Sequence, residues 1–393
     1  MNILHITHTY PGKNTPWITP FIRSLIEALA KIKDLKIDVV LPKGAFAEEG
    51  VTFHPFYVPQ NDRVSHKRIG ATTQGVPFYQ QFTFLISGLL KTISVIRKNK
   101  INLIHAHWSI PSGLIAYIAS TITRIPYVVT THGRDVLNHP PSGYDIPERF
   151  IFRLAIRKVL LKARCVIATS ATTLRYAKQI ASAAKFIRIP VGVGNRWLDN
   201  STAFYNLSER NGILFIGDLV PIKGVDILLN AIAHSSILRQ INVDIVGGGA
   251  KRKSLEKMAL QLGLKNVVFH GALSPDKVME LAFASKIIVV PSLIEAFGIV
   301  ALEGLASGNF VVGSDTGIVS EISKDPSFKN YVKVFPPGDP EALKTALEES
   351  IHEKIDQESL TKVREELHRK YSWEAVAKQY RKLYLDITEA LNP

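Results

Sequence analysis

Short apolar runs alternate with amphipathic segments along the whole chain, and this alternation constrains the fold more than any other feature of the sequence. The first half contains such runs at residues 2–7, 37–41, 101–107, 127–131, 166–170 and 187–191. The second half contains them at 212–216, 243–246, 267–270, 287–290 and 310–313. Because helical segments lie between the runs, the pattern predicts parallel sheets covered on both faces, with ligands beyond the carboxyl ends of the strands.

A polar segment, 195–211, separates the two series of runs and is predicted to be a linker. The chain has 393 residues, which is too long for one ordinary hydrophobic core and suits two domains. We therefore predict an α/β protein with two doubly wound domains, 1–196 and 197–372, that face a central cleft. The amphipathic residues at 373–393 are predicted to add a terminal helix.

Residues 291–308 are the clearest candidate for a binding site. They follow the apolar run 287–290 and continue as an amphipathic segment stopped by Gly308, which predicts a strand, a tight turn and a helix. At the start of a helix, backbone N–H groups have no partner within the helix and attract anions. A phosphate is expected at the N–H groups of Phe297, Gly298, Ile299 and Val300.

Two carboxylates, Glu295 and Glu303, bracket this turn at a spacing of eight residues. Glu303 would lie about two turns inside the helix, so that both side chains can face one cleft. Such a pair suits a ligand with hydroxyl groups on both sides of a phosphate. The alternative is an exposed turn with two solvated carboxylates.

Three further turns in the second half follow predicted strands and are candidates for the same site. Gly217 opens a turn that leads to Lys223 at a helix start, where the lysine supplies a cation for phosphate oxygens. Gly247 begins a run of three glycines after the next strand, although any strand-to-helix turn can use glycines. Gly271 and Leu273 follow the strand after that one.

In the first half, histidines lie at the carboxyl ends of two predicted strands. His132, followed by Gly133, ends one strand, and a neutral imidazole there can donate one hydrogen bond and accept another. Asp135 could either orient His132 or cap a turn. His105 and His107 end the other strand; we expect them on opposite faces, with His107 in a cleft wall and His105 buried, which argues against a shared metal ion.

At the Glu295 turn the chain resembles the retaining glycosyltransferases of the GT-B fold, specifically family 4. The signature of that family is Glu, seven residues, Glu, with Phe-Gly after the first Glu. The resemblance implies that Glu295 contacts the sugar of a nucleotide-diphosphate sugar, that 297–300 hold the diphosphate, and that Glu303 binds the ribose hydroxyls. The family also has His-Gly-x-Asp where this chain has His132, which implies that His132 contacts the donor sugar.

The resemblance extends over nearly the whole chain and assigns roles to the other turns. Lys223 would be the principal cation on the diphosphate, because this chain has Asp218 where many members have arginine. The final helix would cross back to the first domain, as it does in the family. Further contacts to the donor are implied for Gly12, Gly217, Gly247, Gly271 and Leu273. The sequence contains no Asp-x-Asp, so neither a metal ion nor any cofactor besides the donor is expected.

The positive charge of the chain is confined to its first half. Residues 1–200 contain 26 Lys and Arg against 10 Asp and Glu, whereas 201–393 contain 22 against 24. Six of the basic residues lie between Arg149 and Arg164 on a predicted helix. This helix could present a solvated face or bind an anionic membrane surface. Nucleic acid is the least favoured partner.

Three features suggest where the protein acts. The N-terminus enters a strand without the basic region of an export signal, and the single cysteine, Cys165, fits a reducing compartment. The apolar stretch 82–96 contains Lys91 and is too short to span a membrane. We expect a cytoplasmic protein that binds peripherally to the inner face of the cell membrane.

Together with the resemblance, which implies retention of anomeric configuration, these features predict a metal-independent glycosyltransferase. It would move a sugar from a UDP-sugar or GDP-sugar to a hydroxyl of a glycan or lipid-linked acceptor, in the synthesis of a surface polysaccharide or glycolipid. Two alternatives remain open. One is a GT-B epimerase or hydrolase that uses the same donor pocket, and the other is a protein that binds a nucleotide sugar without turnover.

Overall fold

The structure is a computed structural model that describes residues 1–12, 19–43, 48–57, 78–138, 150–198, 207, 210–354 and 356–390, without the side chains of 78–81. The chain divides into two compact units. The first comprises Met1–Gly192 and Trp373–Pro393, and the second comprises Val193–Ser372. Among the described residues, no helix has both the length and the apolar character that are needed to cross a membrane.

The first unit contains a parallel sheet of seven strands. They are β1 (Asn2–Ile6), β2 (Lys36–Pro42), β3 (Val51–Phe56), β4 (Leu103–His107), β5 (Tyr127–Thr131), β6 (Cys165–Ala168) and β7 (Phe186–Arg188). Their order across the sheet is β3-β2-β1-β4-β5-β6-β7. Every residue of β4 and β5 is buried, because helices cover both faces of the sheet.

The helices of the first unit form two layers with separate apolar cores. On one face lie α1 (Pro20–Ala30) and the C-terminal helix α14 (Trp373–Glu389), which pack through residues such as Ile26 and Tyr384. On the other face lie α2 (Phe78–Asn99), α3 (Ser112–Thr123), α4 (Phe150–Lys162) and α5 (Ala171–Ile180). Arg381 of α14 also donates to both carboxylate oxygens of Asp34, at 2.6–3.0 Å. The last helix is therefore part of the first unit.

The second unit repeats this architecture with six parallel strands. They are β8 (Ile213–Ile216), β9 (Val243–Val246), β10 (Val267–Gly271), β11 (Ile287–Val290), β12 (Phe310–Ser314) and β13 (Val332–Phe335), in the order β10-β9-β8-β11-β12-β13. One face carries α7 (Val225–Ala233), α8 (Arg252–Gln261) and α12 (Pro340–His352). The remaining helices are α6 (Asn195–Leu198), α9 (Pro275–Ala284), α10 (Ile299–Ser307), α11 (Val319–Ile322) and α13 (Gln357–Tyr371).

Strand order reverses direction between β1 and β4 in the first sheet and between β8 and β11 in the second. In doubly wound sheets, the loops that diverge at such a point leave a crevice beyond the carboxyl ends of the strands. His5 of β1 and His107 of β4 lie at this position in the first unit. The loops after β8 and β11 lie there in the second unit, so each sheet brings predicted site residues to its own crevice.

Two strands, β3 and β13, lie outside the runs that the sequence predicted as strands. Both are at a sheet edge, and each contains half-buried or exposed residues instead of a continuous apolar run. Their extended conformation depends on pairing with β2 and β12, which local sequence does not reveal. The predicted linker also differs, because its first residues form the short helix α6.

Candidate functional site

The turn between β11 and α10 has the geometry of an anion site. Gly298 precedes the helix with φ +86°, a left-handed conformation that glycine adopts without steric cost. The helix then begins at Ile299, and its first N–H groups point beyond the strand ends. Ile299 and Val300 are half-buried, whereas the Phe297 side chain is buried and its carbonyl accepts a hydrogen bond from the Ile318 N–H at 2.6 Å.

Glu295 lies in this turn and forms an ion pair with the predicted cation. Its Oε2 accepts from Lys223 Nζ at 2.5 Å and from Ser292 Oγ at 3.1 Å. Its Oε1 accepts from the Ala296 N–H at 3.2 Å, and its own N–H donates to Thr316 Oγ1. The Glu295 side chain is only 12% exposed, and these contacts hold its carboxylate in place.

Lys223 reaches Glu295 because the loop after β8 packs against the loop after β11. A short 3-10 turn, Pro221–Lys223, follows β8, and the Ile222 carbonyl accepts from the Leu293 N–H of the loop after β11 at 2.8 Å. Gly224 has φ +63°, and a Cβ placed there would lie 2.0 Å from the Pro291 carbonyl oxygen. Only glycine allows the backbone at residue 224 to come this close to Pro291. This close contact holds the loop that carries Lys223 against the Glu295 turn.

The predicted glycine turns also lie against one another. The Gly217 N–H donates to the Val246 carbonyl, and the Gly247 N–H donates to the Gly271 carbonyl at 2.8 Å. Gly247 has φ +136°, and a Cβ there would lie 1.8 Å from the Gly217 carbonyl oxygen. The structure therefore brings three predicted glycines together at the ends of β8, β9 and β10. Leu273 is half-buried two residues beyond Gly271.

Arg252, which sequence reasoning missed, lies beside these turns. It is the first residue of α8, and its Nη2 donates to the Phe269 carbonyl at 3.2 Å. A Cβ placed on Gly271 would lie 2.6 Å from Arg252 Nη1. Its Nε also donates to Glu256 at 2.7 Å. A basic residue just after a run of three glycines was the available signal. Asp218, where many members of the family have arginine, is exposed.

Glu303 occupies a separate environment on α10. Burial raises the pKa of Glu303 to about 7, although the nearby charge of Arg196 and a hydrogen bond from Trp197 act to lower it. Both neighbours belong to α6, the helix found within the predicted linker. Glu303 is thus a carboxyl group that can change its charge near neutral pH, whereas Glu295 is held in an ion pair.

In the first unit, His132 follows β5 and lies on the same side of the sheet as other histidines. His107 Nδ1 is 3.2 Å from His132 Nε2, and Trp108 packs against the His132 ring at 4.6 Å between centroids. His105 and His107 lie on one face, with ring centroids 4.4 Å apart, so the expected placement on opposite faces is wrong. The reason is strand geometry, since residues i and i+2 point in the same direction.

Asp135 supports the backbone around His132. Its Oδ1 accepts from the His132 and Gly133 N–H groups at 3.3 and 3.1 Å, and its Oδ2 accepts from the Ser109 N–H at 2.8 Å. Of the two roles considered for Asp135, capping the turn is the one these contacts favour. Burial raises the pKa of Asp135, while the backbone hydrogen bonds oppose that rise.

In the second unit, most predicted site residues thus lie on the loops that follow β8, β9, β10 and β11, whereas Glu303 lies apart on α10. Lys223 and Glu295 are paired, and Gly217, Gly247 and Gly271 form adjoining turns. Gly12 is buried near the end of β1, but the rest of its loop, 13–18, lies outside the described residues, as does Arg149 of the basic segment. Side chains not predicted for the site are Ser292, Thr316, Arg252, Arg196 and Trp197.

Curated relatives cover most of this chain. It is 27% identical over 353 residues to the uncharacterized glycosyltransferase MJ1178 of Methanocaldococcus jannaschii, covering 86% of this chain and 91% of that one. It is 25% identical over 376 residues to TuaC of Bacillus subtilis, a glycosyltransferase named for a proposed role in teichuronic acid biosynthesis, with 90% of each chain covered.

Solved structures share the fold at lower identity. Sucrose-phosphate synthase of Thermosynechococcus elongatus has a TM-score of 0.78 and 21% identity, covering 99% of this chain and 100% of that one. HepE of Anabaena in complex with UDP-glucose has a TM-score of 0.68 and 19% identity, covering 98% and 99%. Two parallel sheets with this strand order and these neighbours define a GT-B protein, as predicted.

The family follows from two matched models. Residues 18–194 match the model for Glycosyltransferase Family 4, and residues 201–367 match the model for Glycosyl transferases group 1. The chain belongs to this family of glycosyltransferases, which confirms the resemblance inferred from the Glu295 turn. It is therefore an enzyme of the glycosyltransferase class.

Proposed function

We propose that this enzyme transfers a sugar, with retention of anomeric configuration and without a metal ion, from a nucleotide-diphosphate sugar to a hydroxyl group. The observation that carries the proposal is the Lys223–Glu295 pair, 2.5 Å long, beside the first turn of α10. This arrangement supplies a cation and free helix N–H groups for a diphosphate, next to a carboxylate for sugar hydroxyls.

The charges are arranged to favour departure of the nucleotide diphosphate. As the bond to the sugar breaks, negative charge grows on the β-phosphate oxygen, where Lys223 and the start of α10 would stabilise it. Glu295 would offset the positive charge that develops on the anomeric carbon. In a same-face substitution, the departing phosphate oxygen accepts the proton of the acceptor hydroxyl. His132, at the strand ends of the first unit, would contact the sugar.

The donor is proposed to carry UDP or GDP. HepE, which shares the fold, has been solved with UDP-glucose bound, and this supports a nucleotide-diphosphate sugar as donor here. The Gly217, Gly247 and Gly271 turns would accommodate phosphates and base through backbone groups. Such main-chain contacts distinguish bases weakly, so the experiment below includes several nucleotides.

The acceptor is proposed to be a glycan or lipid-linked molecule at an anionic membrane. Helix α4 exposes apolar side chains beside basic ones, with Phe150 74%, Ile151 76% and Leu154 49% exposed, next to the exposed Arg153 and Arg157. Apolar residues that enter the headgroup region and cations that attract anionic lipid are the features of an interfacial helix. The name of TuaC, a relative, also supports an envelope glycan.

Donor binding and transfer test this function directly. The purified protein would be heated with UDP, GDP, ADP and their sugars, since a ligand at about 100 times its dissociation constant stabilises by about 2.7 kcal/mol. The stabilising donor is then incubated with acceptor extracts, with and without a chelator, and the product anomer is determined by NMR. We expect retained configuration and no effect of the chelator.

The Glu295→Gln variant assigns that activity to the site. Its turnover should fall much more than its nucleotide affinity, because the proposed contacts of Glu295 are to the sugar. Glu358→Gln is the matched control, since it breaks an exposed Lys–Glu pair of 2.6 Å far from any predicted site residue in sequence. Release of free sugar or an epimer regardless of acceptor would indicate the hydrolase or epimerase, and binding without turnover would indicate a binding protein.

A further inference from the structure

Three histidines of the first unit form a continuous hydrogen-bonded series, here called the histidine chain. His5 Nδ1 of β1 lies 3.1 Å from His107 Nε2 of β4. His107 Nδ1 lies 3.2 Å from His132 Nε2, after β5. His5 and His107 have no exposed surface, whereas His132 is half-buried. The chain therefore leads from the interior of the sheet to the strand ends where ligands bind.

Neutral rings make this series directional. A neutral imidazole carries one N–H donor and one acceptor nitrogen, and the hydrogen bond at one nitrogen decides the state of the other. Burial lowers the pKa of His5 to about 3 and that of His107 well below its ordinary value, and it also lowers the pKa of His132. Each bond in the chain joins an Nδ1 to an Nε2. Two N–H···N bonds in series then require the same tautomer in all three rings.

We propose that His5 and His107 are positioning residues that set the tautomer of His132, so that the three rings carry the same tautomer and change it together. If the rings are Nδ1–H tautomers, His132 presents an N–H donor at its remaining nitrogen. If they are Nε2–H tautomers, it presents a lone pair. His5, which does not touch His132, thus decides whether His132 donates or accepts.

The inner end of the chain explains how His5 exerts this control. His5 Nε2 is buried and has no hydrogen-bond partner among the residues of the protein that the structure describes. When the three rings are Nε2–H tautomers, this nitrogen is an unpaired N–H. When they are Nδ1–H tautomers, it is an unpaired acceptor. Both are costly in a buried site, and the difference between the two costs biases the tautomer at the outer end.

A metal ion is the competing explanation of this cluster. His5, His105 and His107 each offer a ligand atom within 4.8 Å of the others. However, His105 Nδ1 is already 2.6 Å from the Tyr384 hydroxyl and its Nε2 is 2.7 Å from Thr130 Oγ1. Metal binding through His105 and His107 would break at least one of these bonds and also one of the two contacts of His107, to His5 or to His132. The distances therefore favour a protonic chain.

Other groups around the chain bond outside it. His8 Nδ1 faces Ser112 Oγ at 3.1 Å, and Asp135 accepts only backbone N–H groups in the contacts described above. The Tyr380 hydroxyl faces Thr130 at 3.5 Å. None of these contacts supplies a proton to a ring nitrogen of the chain, so the tautomer of His132 depends on His107 and, through it, on His5.

Long-range ¹H–¹⁵N NMR of the imidazole groups tests the proposal in the wild-type protein, and signals are assigned by single substitutions. Protonated and bare ring nitrogens are distinguished by their ¹⁵N shifts. We expect His5, His107 and His132 to show the same tautomer. A different tautomer at any one of the three rings would overturn the proposal, as would a stoichiometric metal ion in the purified protein.

Two variants separate the chain from packing effects. His5→Phe should shift the His132 ¹⁵N signals towards a mixture of tautomers, although residue 5 does not contact residue 132. His105→Phe is the control, because its ring packs at 4.4 Å from His107 but bonds outside the chain. Equal shifts at His132 in the two variants would show a structural effect and contradict the proposal.

The functional consequence rests on the proposed contact between His132 and the donor sugar. Adding the donor to the wild type should change the ¹⁵N shifts of all three rings together if the sugar selects one tautomer of His132. A change of the ¹⁵N shifts at His132 alone would contradict the proposal that the three tautomers change together. If no nucleotide sugar binds at all, the proposed function fails, whereas the tautomers of the free protein still test the chain.

Discussion

Two carboxylates of one segment differ in their electrostatic surroundings. Glu295 is neutralised by Lys223 and receives hydrogen bonds from Ser292 and Ala296. Glu303, on α10, is near Arg196 and Trp197, and burial raises its pKa to about 7. Their proposed roles, sugar contact for Glu295 and ribose contact for Glu303, predict different responses to substitution.

Glu303 should make nucleotide binding depend on pH. A ribose hydroxyl that donates to the carboxylate stabilises its charged form and lowers its pKa in the complex. Affinity for UDP should therefore be constant above pH 7 and fall below it, by up to about tenfold per pH unit, because binding must then release a proton. Calorimetric titration with UDP across this range measures the slope.

The Glu303→Gln variant is the reference for that slope, since the phosphate of free UDP also titrates. At high pH it should bind UDP about 10- to 100-fold more weakly, as expected for a lost charged hydrogen bond of about 1.5–3 kcal/mol. It should also lose the part of the slope that belongs to residue 303. Equal affinities and equal slopes in the two proteins would remove Glu303 from the nucleotide site.

Lys223→Ala should lower donor affinity and kcat together. The diphosphate charge is present in the ground state and grows in the transition state, so Lys223 would act on both. The variant also leaves Glu295 without its cation, which adds repulsion toward the phosphates. Steady-state kinetics and calorimetry of Lys223→Ala, with Lys362→Ala of the exposed Lys362–Glu358 pair as control, measure the two losses.

Combining Lys223→Ala with Glu295→Gln isolates the repulsion. The double variant should regain part of the nucleotide affinity but none of the turnover, because it removes the uncompensated carboxylate while the cation stays absent. Kinetics near those of the wild type in Lys223→Ala would instead mean that another cation neutralises the diphosphate, and Arg252 would be the first one to replace.

At the scale of elements, the site depends on loops that approach one another through glycine. A Cβ placed on Gly224 would lie 2.0 Å from the Pro291 carbonyl oxygen, and a Cβ placed on Gly247 would lie 1.8 Å from the Gly217 carbonyl oxygen. Both glycines also have φ values that other residues rarely adopt. Strand ends alone would not hold the Lys223 and Glu295 loops together, so these contacts determine the geometry of the site.

Neighbouring glycines provide a test of this role. Gly247→Ala should lower the free energy of unfolding by at least about 1–3 kcal/mol from backbone strain, and should also weaken nucleotide binding. Gly248→Ala should have an effect within about 0.5 kcal/mol, because a Cβ there meets nothing within 4 Å. Urea unfolding of the two variants makes the comparison, and similar losses in both would contradict it.

On the scale of the whole molecule, charge is divided between the two halves of the sequence. The excess of 16 positive charges in residues 1–200 contrasts with a small negative excess in the remainder. Helix α4 combines part of this charge with exposed Phe150, Ile151 and Leu154. An anionic membrane would therefore be attracted by the first unit far more than by the second.

We predict that the protein sediments with vesicles containing anionic lipid at low salt and is released at high salt. Each basic residue near such a surface contributes about 1 kcal/mol, which salt screens. Arg153→Glu with Arg157→Glu should reduce sedimentation strongly. Lys253→Glu with Lys257→Glu on α8 makes the same change in net charge at the same spacing in the second unit, and should reduce it little. Failure of the wild type to sediment at low salt would contradict membrane binding.

Local sequence was sufficient for most of the architecture. Central strands such as β5 and β11 were predicted with the bounds they have, because strands buried on both faces are continuous apolar runs. Edge strands β3 and β13 were missed, since their conformation depends on a neighbour. The family and GT-B fold are confirmed, while the roles of the site residues stay predictions.

The sequence by itself determined the two Rossmann-like sheets and the turn at Gly298, because apolar period, glycine positions and helix starts act over a few residues. Only the tertiary structure decided which side chains meet. Lys223 pairs with Glu295 across 72 residues, and His5 bonds to His107 across 102. The physical reason is that parallel strands distant in sequence must first assemble in the order of the sheet before the loops and side chains at their carboxyl ends come within hydrogen-bonding distance.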